Sequence, residues 1–243
     1  MHKPSPPLPP ILEGQALHTY YGASHILRGV SLAVGAGETI GLMGRNGMGK
    51  TTLIRTLVGL HAPRHGRVLV DGVDMTEAAA FRIARCGIAY VPDGRGIFAR
   101  LSVEENLAIA ERAGCDGEQV WTRARVLELF PRLAQRLAHR GDQLSSGEQQ
   151  MLAIGRALLT NPRLLILDEA TEGLAPLVRE EMWRTLARLR ATGLATLIVD
   201  KSVAAVTALA DRVVMLVKGE VAFDGTPAAL RANPALLHRH LGV

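Results

Sequence analysis

The chain has 243 residues, of which 48% are hydrophobic, and its 28 Lys and Arg against 23 Asp and Glu give a formal charge of +5. This length supports one substantial hydrophobic core, so we expect a single domain over residues 11–243. The sequence has no apolar run of about 18 residues or more, which argues against a membrane-spanning helix. These features favour a globular protein of the cytoplasm.

The first ten residues, MHKPSPPLPP, lack the charged and apolar segments of a signal peptide. Because proline opposes helix formation, we expect a disordered or extended tail over residues 1–10. Cys86 and Cys115 fit no metal-ligand spacing and are expected to be reduced. The arginines follow helical stretches without interleaved aromatic residues, which indicates a solvated face and argues against a nucleic-acid partner.

Strand-like runs dominate the first part of the chain, at Ile11–Leu17 and Leu27–Val34. The apolar strand Thr39–Met43 then leads through a glycine-rich turn into a helix-like run, Lys50–Leu60. This order predicts a strand, loop and helix unit.

The rest of the chain alternates between apolar strands and helical patterns, which is typical of an α/β domain with a parallel sheet. The strands are predicted at Ile88–Val91, Leu164–Leu167 and Thr196–Val199. A hairpin around Lys218 and Gly219 is predicted from the stretch RVVMLVKGEVAFDG.

A helical lobe is predicted as an insertion in the sheet domain, at about residues 94–155. The pattern is helical throughout between Gly96 and His139. Ser102, followed three residues later by Glu105, predicts a capping box at its first helix.

A phosphate-binding loop is predicted between the strand at 39–43 and the following helix, where the sequence GRNGMGKTT satisfies G-x-x-x-x-G-K-[ST]. Backbone N–H groups of such a loop point at the β-phosphate. Lys50 can reach the β and γ oxygens, and the Thr51 hydroxyl can ligate Mg²⁺. The predicted ATP-binding residues of the loop are Gly44, Arg45, Asn46, Gly47, Met48, Gly49, Lys50, Thr51 and Thr52.

Two acidic residues, Asp168 and Glu169, follow the apolar strand LLIL and supply the second half of a nucleotide site. Asp168 is predicted to hold Mg²⁺, and Glu169 to orient or deprotonate the attacking water. Without the phosphate loop, a helix N-cap with first-turn charge would explain two such acids equally well. The pair therefore favours a hydrolase that uses ATP and Mg²⁺.

The stretch LSSGEQQ resembles the signature motif of ABC ATPases, LSGGQ in its usual form, and lies just before the acid pair. Ser145 and Glu148 also form a capping box, and a capped helix start is a good anion site. The resemblance implies that this segment closes on the ATP held by a partner cassette. Its predicted contact residues are Leu144, Ser145, Ser146, Gly147 and Glu148.

The resemblance runs from about residue 11 to the end of the chain. It implies a P-loop NTPase (RecA-like) core, an N-terminal antiparallel β subdomain and an inserted α-helical subdomain. Tyr21 matches the aromatic residue that stacks on adenine, although an ordinary strand tyrosine is the alternative. Asp93 falls where the family usually has the Mg²⁺-sensing Gln, and Lys201 where most members have the switch histidine that acts in catalysis.

Longer segments, including YVPDGRGIFARLSVEENL and DEATEGLAP, are similar to the LivF-type subunit of high-affinity branched-chain amino-acid importers. This implies a peripheral position on the cytoplasmic face of the inner membrane. It also implies a second, LivG-like cassette subunit, two membrane permease subunits and a periplasmic substrate-binding protein. A permease is expected to dock around Asp93 to Leu107.

Departures from the family pattern at Asp93, Ser146 and Lys201 favour a heterodimer over a self-sufficient homodimer. Asp93 adds negative charge near Mg²⁺, and Lys201 cannot shuttle a proton near neutral pH as histidine does. Two alternatives stay open: a cassette for another small solute such as urea or an amide, or for export, and a non-transport ABC protein. The second lacks support because the chain holds one cassette and no sustained heptads.

Overall fold

The computed structural model describes residues 9–241. The tail predicted over 1–10 lies outside the described residues except for Pro9 and Pro10, which have no regular structure. None of the helices within residues 9–241 combines the length and apolar character that crossing a bilayer requires.

The structure alternates strands and helices along most of its length. The strands are β1 (Leu12–Tyr21), β2 (Ser24–Val34), β3 (Thr39–Met43), β4 (His65–Val70), β5 (Val73–Asp74), β6 (Ile88–Val91), β7 (Leu164–Asp168), β8 (Ala195–Val199), β9 (Arg212–Val217) and β10 (Glu220–Gly225). The helices are α1 (Lys50–Leu57), α2 (Ala80–Arg85), α3 (Val103–Ala110), α4 (Arg123–Leu129), α5 (Pro131–Ala134), α6 (Ser146–Leu158), α7 (Pro176–Ala191), α8 (Val203–Leu209), α9 (Pro227–Arg231) and α10 (Pro234–Leu241).

Two sheets form the described structure. The larger has six strands in the order β10-β9-β3-β8-β7-β6, with parallel pairing from β9 to β6 and an antiparallel β9–β10 hairpin at one edge. The smaller has four antiparallel strands in the order β2-β1-β4-β5. The predicted parallel core, N-terminal antiparallel subdomain and C-terminal hairpin are therefore confirmed.

Strand β7 is buried on both faces, as expected of a strand inside a parallel sheet. Because successive side chains of a strand point to opposite faces, its residues divide between two cores. Leu164 and Ile166 pack with α1 and the small sheet, whereas Leu165 and Leu167 pack with the helices between β6 and β7. These helices, α3 to α6, form the inserted helical subdomain; its boundaries at about 94–155 stay a prediction.

The helical pattern predicted throughout Gly96 to His139 is wrong in part. Helix α3 ends at Ala110, and α4 begins only at Arg123. The intervening segment makes its own turn, in which the Gly114 N–H donates to the carbonyl of Glu118 at 2.8 Å. A local turn bond of this kind competes with the helical pattern.

The helix predicted over Lys50–Leu60 is shorter than expected and ends at Leu57. Gly59 has a left-handed φ of 73°, and Leu60 N–H donates back to the carbonyl of Arg55 at 2.8 Å. This arrangement is a Schellman motif, which ends a helix at a left-handed glycine.

Asn106 fixes the segment that joins β6 to α3, and its replacement by alanine tests this. Its side chain is fully buried; Oδ1 accepts from Phe98 N–H at 2.9 Å, and Nδ2 donates to the Phe98 and Ser102 carbonyls, each at 2.9 Å. Asn106→Ala leaves these groups unpaired, so we expect a loss of about 3 kcal/mol in the free energy of unfolding, measured with urea. The exposed Asn233, which accepts one N–H bond from Leu236, serves as control, and Asn233→Ala should cost less than about 1 kcal/mol. Equal losses would contradict the assignment.

Candidate nucleotide-binding site

The phosphate loop lies between β3 and α1, where the sequence predicts it. Met43 ends the buried strand and Lys50 begins the helix. Gly49 precedes the helix with a left-handed φ of 101°, and no side chain caps the helix start. The first N–H groups of a helix have no partner within the helix, so this end favours an anion.

Lys50 is buried within the loop. Its Nζ donates to the carbonyl oxygens of Gly44 at 2.7 Å and Arg45 at 3.1 Å. Burial lowers the pKa of the ammonium, and the charge of Asp168 opposes this effect. Among the described residues, the hydrogen bonds that hold the ammonium in the loop are to these two carbonyl oxygens, which a phosphate oxygen can replace.

The remaining loop residues differ in exposure. Arg45, Asn46 and Gly47 are exposed, whereas Thr52 is buried. The Met48 carbonyl accepts from the Gly219 N–H at 3.2 Å, which fastens the loop to the turn of the β9–β10 hairpin.

Asp168 ends β7 and is fully buried. Its Oδ2 accepts from the Tyr90 hydroxyl at 3.3 Å, but its Oδ1 has no hydrogen-bond partner among the described residues. Burial raises the pKa of this carboxyl, while the nearby hydroxyls of Thr51 and Tyr90 lower it in part. A buried carboxylate oxygen without a partner, next to a hydroxyl, fits a hard divalent cation such as Mg²⁺.

Tyr90 was missed by the sequence analysis. It lies on β6, beside Ile166 of β7, and burial and the charge of Asp168 raise the pKa of its hydroxyl. The hydroxyl therefore stays protonated and donates to the carboxylate. A polar side chain in the otherwise apolar run IAYV was the available signal.

Glu169 follows at a sharp change of chain direction. Its φ of 53° lies in the left-handed region, which is strained for a residue other than glycine, and its N–H donates to the Val199 carbonyl at 2.8 Å. The carboxylate Oε2 lies 3.6 Å from Nζ of Lys201. The predicted water-activating acid and the predicted sensor residue are thus neighbours.

Lys201 also contacts Glu172, a residue that the sequence analysis did not select. Glu172 comes three residues after Glu169, in the same loop beyond β7. Its charge and its position near the acid pair were the features of the sequence that could have indicated a role for Glu172 in the site.

Asp93 is exposed, and its Oδ1 accepts from the Gly94 N–H at 2.8 Å. Its charge contributes to the raised pKa of Asp168, so it acts on the same site. Tyr21 ends β1 with 42% of its surface exposed, and its ring lies 4.5 Å from that of His61 at 37°. An exposed ring is what base stacking requires.

The signature segment begins helix α6. Ser145 Oγ accepts from the Glu148 N–H at 3.3 Å, and Glu148 Oε2 accepts from the Ser145 N–H at 2.8 Å, which confirms the predicted capping box. Burial raises the pKa of Glu148, but hydrogen bonds from Ser145 lower it overall. Leu144 and Gly147 are buried, while Ser146 is exposed at the helix start.

The family model described as "ABC transporter" matches residues 27–172. The chain belongs to the ABC transporter family. This ABC cassette is 40% identical over 232 residues to the high-affinity branched-chain amino acid transport ATP-binding protein BraG of Pseudomonas aeruginosa, covering 96% of the chain and 100% of that protein. It is also 35% identical over 224 residues to a probable branched-chain amino acid transport ATP-binding protein, LivF, of Archaeoglobus fulgidus, covering 91% of the chain and 92% of the relative. The predicted family resemblance is therefore confirmed.

The ABC cassette also resembles proteins of other transport systems. It is 33% identical over 233 residues to the lipopolysaccharide export system ATP-binding protein LptB of Escherichia coli, covering 95% of the chain and 97% of that protein. Among solved structures, an ATP binding subunit of an ABC transporter is similar with a TM-score of 0.78 and 29% identity, covering 93% of this chain and 94% of that one. The cassette is thus an ATPase with the fold that the sequence predicts.

Within the ABC cassette, one site brings together Lys50, Thr51, Asp168, Glu169 and Lys201. The signature residues lie at the start of α6, a helix that packs with α3, α4, α5 and β6. Tyr21 lies on the small sheet.

Asp168→Asn tests the burial of this carboxylate in the nucleotide-free protein. A carboxyl whose folded-state pKa is raised favours folding at low pH and loses that contribution as the pH rises through the folded-state pKa. We therefore expect Asp168→Asn to raise the melting temperature at pH 7.5 by a few degrees, with a gain that shrinks as the pH falls. The exposed Asp142, whose pKa is lowered by Arg140, is the control: Asp142→Asn should not raise the melting temperature. A pH-independent gain at Asp168 would contradict this explanation.

Proposed function

We propose that this cassette binds ATP with Mg²⁺ and hydrolyses it in a cassette dimer, driving uptake of branched-chain or related amino acids through membrane permease subunits. The observation that carries the proposal is the convergence of Lys50, Asp168 and Glu169 at one end of the parallel sheet. The remaining partners are those implied by the family.

The residues around the loop divide the work of binding. Lys50 and the N–H groups of residues 44–52 hold the β- and γ-phosphates, and Tyr21 stacks on adenine. Thr51 and Asp168 hold Mg²⁺, with Asp93 contributing through water. When bound, the metal ion neutralises charge on the phosphate oxygens.

Hydrolysis needs an oriented water and a stabilised γ-phosphate. Glu169 orients or deprotonates the water, and it follows directly after the end of β7 with a strained backbone. Lys201 donates to the γ-phosphate; its half-exposed ammonium lies 3.6 Å from the Glu169 carboxylate, which supports a place for it at the same site.

The active unit is a dimer, because the signature residues 144–148 lie on a different subdomain from the phosphate loop of the same chain. They complete the site of the partner cassette. Asp93, Ser146 and Lys201 favour a second, different cassette subunit as that partner.

Glu169→Gln separates binding from hydrolysis. We expect phosphate release by the purified chain to fall by about 100-fold or more, since the general base is lost, while ATP affinity in a fluorescence titration is retained. Lys50→Ala is the matched variant, and it should lose ATP binding itself. Undiminished turnover in Glu169→Gln, or normal ATP affinity in Lys50→Ala, would overturn the assigned roles.

An apolar groove next to the site fits the docking of a permease. It has a volume of about 490 Å³ and is bordered by α2, α3 and the segment that follows Asp93. Its rim includes exposed apolar side chains, which are Leu60, Phe81, Phe98 and Ile109. Exposed apolar surface of this kind marks an interaction site, and its place overlaps the docking region predicted around Asp93 to Leu107.

The permeases would hold this peripheral subunit at the cytoplasmic face of the inner membrane and connect it to a periplasmic substrate-binding protein. BraG and LivF favour branched-chain amino acids as the solute, whereas LptB makes lipopolysaccharide export the second candidate.

Charge in the groove should separate the cassette from its permeases. We expect Phe81→Glu and Ile109→Glu to abolish co-purification with branched-chain amino-acid permeases, and leucine uptake with it, because the groove must bury these side chains. ATP affinity should not change. Val73→Glu, at an exposed apolar residue of β5 in the small sheet, is the control and should leave uptake intact. Unchanged uptake with Phe81→Glu would contradict the docking site. If even the wild-type cassette supports no leucine uptake, the export candidate is favoured.

A further inference from the structure

The pair formed by Glu172 and Lys201 is the feature of the site that the proposed function does not yet explain. Nζ of Lys201 contacts Oε1 of Glu172 and lies 3.6 Å from Oε2 of Glu169. Both side chains of the Glu172–Lys201 pair are 51% exposed, whereas Glu169 is 18% exposed. An exposed ion pair contributes little to stability, and this one, unlike the other exposed pairs among the described residues, lies beside the acid pair of the site.

The backbone around the pair is fixed by a neighbouring aspartate. Asp200 Oδ2 accepts hydrogen bonds from the hydroxyl of Thr171 at 2.5 Å and from its N–H at 3.3 Å. Asp200 Oδ1 accepts from the Ser202 N–H at 2.9 Å. The bonds between Thr171 and Asp200 thus join the loops after β7 and β8 directly before Glu172 and Lys201, and the Ser202 bond turns the second loop directly after Asp200.

The charges of Glu172 and Lys201 both affect Lys50 of the phosphate loop. Beyond the larger effects of burial and Asp168, the charge of Lys201 lowers the pKa of Lys50, and the charge of Glu172 raises it. The pair also borders a cavity of about 360 Å³ that Glu169 and Arg179 help to line. A terminal phosphate bound near Lys50 and the Glu172 carboxylate therefore compete for one ammonium group.

We propose that Glu172 is a positioning residue that holds the Lys201 ammonium beside Glu169 in the nucleotide-free chain and releases it to the terminal phosphate of ATP. The inference rests on the proposed function, since it requires ATP at the phosphate loop. Because ADP lacks the terminal phosphate to which Lys201 would be released, the exchange is expected to affect triphosphate binding alone. Glu172 thus lowers the affinity for ATP without lowering that for ADP.

The test is a calorimetric titration of the full chain, in Mg²⁺, with ADP and with a non-hydrolysable ATP analogue. We expect Glu172→Gln to tighten binding of the analogue by about threefold, the range of an exposed ion pair, and to leave ADP binding unchanged. Lys201→Gln should weaken binding of the analogue by a similar factor, also without an effect on the binding of ADP. In the double variant, Glu172→Gln should have no further effect, since its partner is gone.

The matched control is Glu180→Gln, which removes a carboxylate from an exposed pair with Arg184 on α7 and should change neither affinity. A second variant, Glu172→Asp, keeps the charge and should bind the analogue more weakly than Glu172→Gln does. The inference is wrong if Glu172→Gln tightens binding of the analogue equally with and without Lys201, or tightens binding of ADP by as much. The charge of Glu172 would then act at long range. If the wild-type chain binds neither nucleotide, the proposed function fails instead.

Discussion

The parallel pairing of β3, β8 and β7 is the constraint on which the site depends. Each strand ends at the same edge of the sheet and delivers one loop there: the phosphate loop, the Lys201 loop and the acid pair. Neighbouring strands are about 4.8 Å apart, so the three loops begin within about 10 Å of one another. The carboxyl ends of a parallel sheet thus collect groups that are distant in sequence.

The site concentrates carboxylates beside two ammonium groups. The charges of Asp168 and Glu172 act on Lys50, and the carboxylates of Glu169 and Glu172 lie beside Lys201. Asp168 is held in a buried position that opposes its ionisation. The burial of Asp168 costs free energy of folding, and the hydrophobic cores on both sides of β7 offset this cost. The site thus trades local stability for a group suited to binding.

The sequence predicted the fold well, and it placed the loop and the acid pair of the candidate site on the elements where they are found, because both depend on local patterns. The strand Thr39–Met43 and the loop after it have the apolar run, glycines and lysine that define them, and the capping box at Ser145 needs only four residues. The hydroxyl of Tyr90 and the carboxylate of Glu172 escaped prediction because their partners come from other strands, and no local pattern encodes a cross-strand contact.

The segment from Asp93 to Phe98 joins two surfaces that the molecule otherwise keeps apart. The charge of Asp93 contributes to the raised pKa of Asp168, and Phe98, five positions further along, lies on the rim of the apolar groove and is held by hydrogen bonds with Asn106. Five peptide links reach at most about 18 Å, and the Gly96 N–H donates to the Gly94 carbonyl at 2.7 Å, which folds the segment into a turn. Asp93 and the groove rim at Phe98 therefore belong to one short stretch of chain, and their backbones cannot lie more than about 18 Å apart.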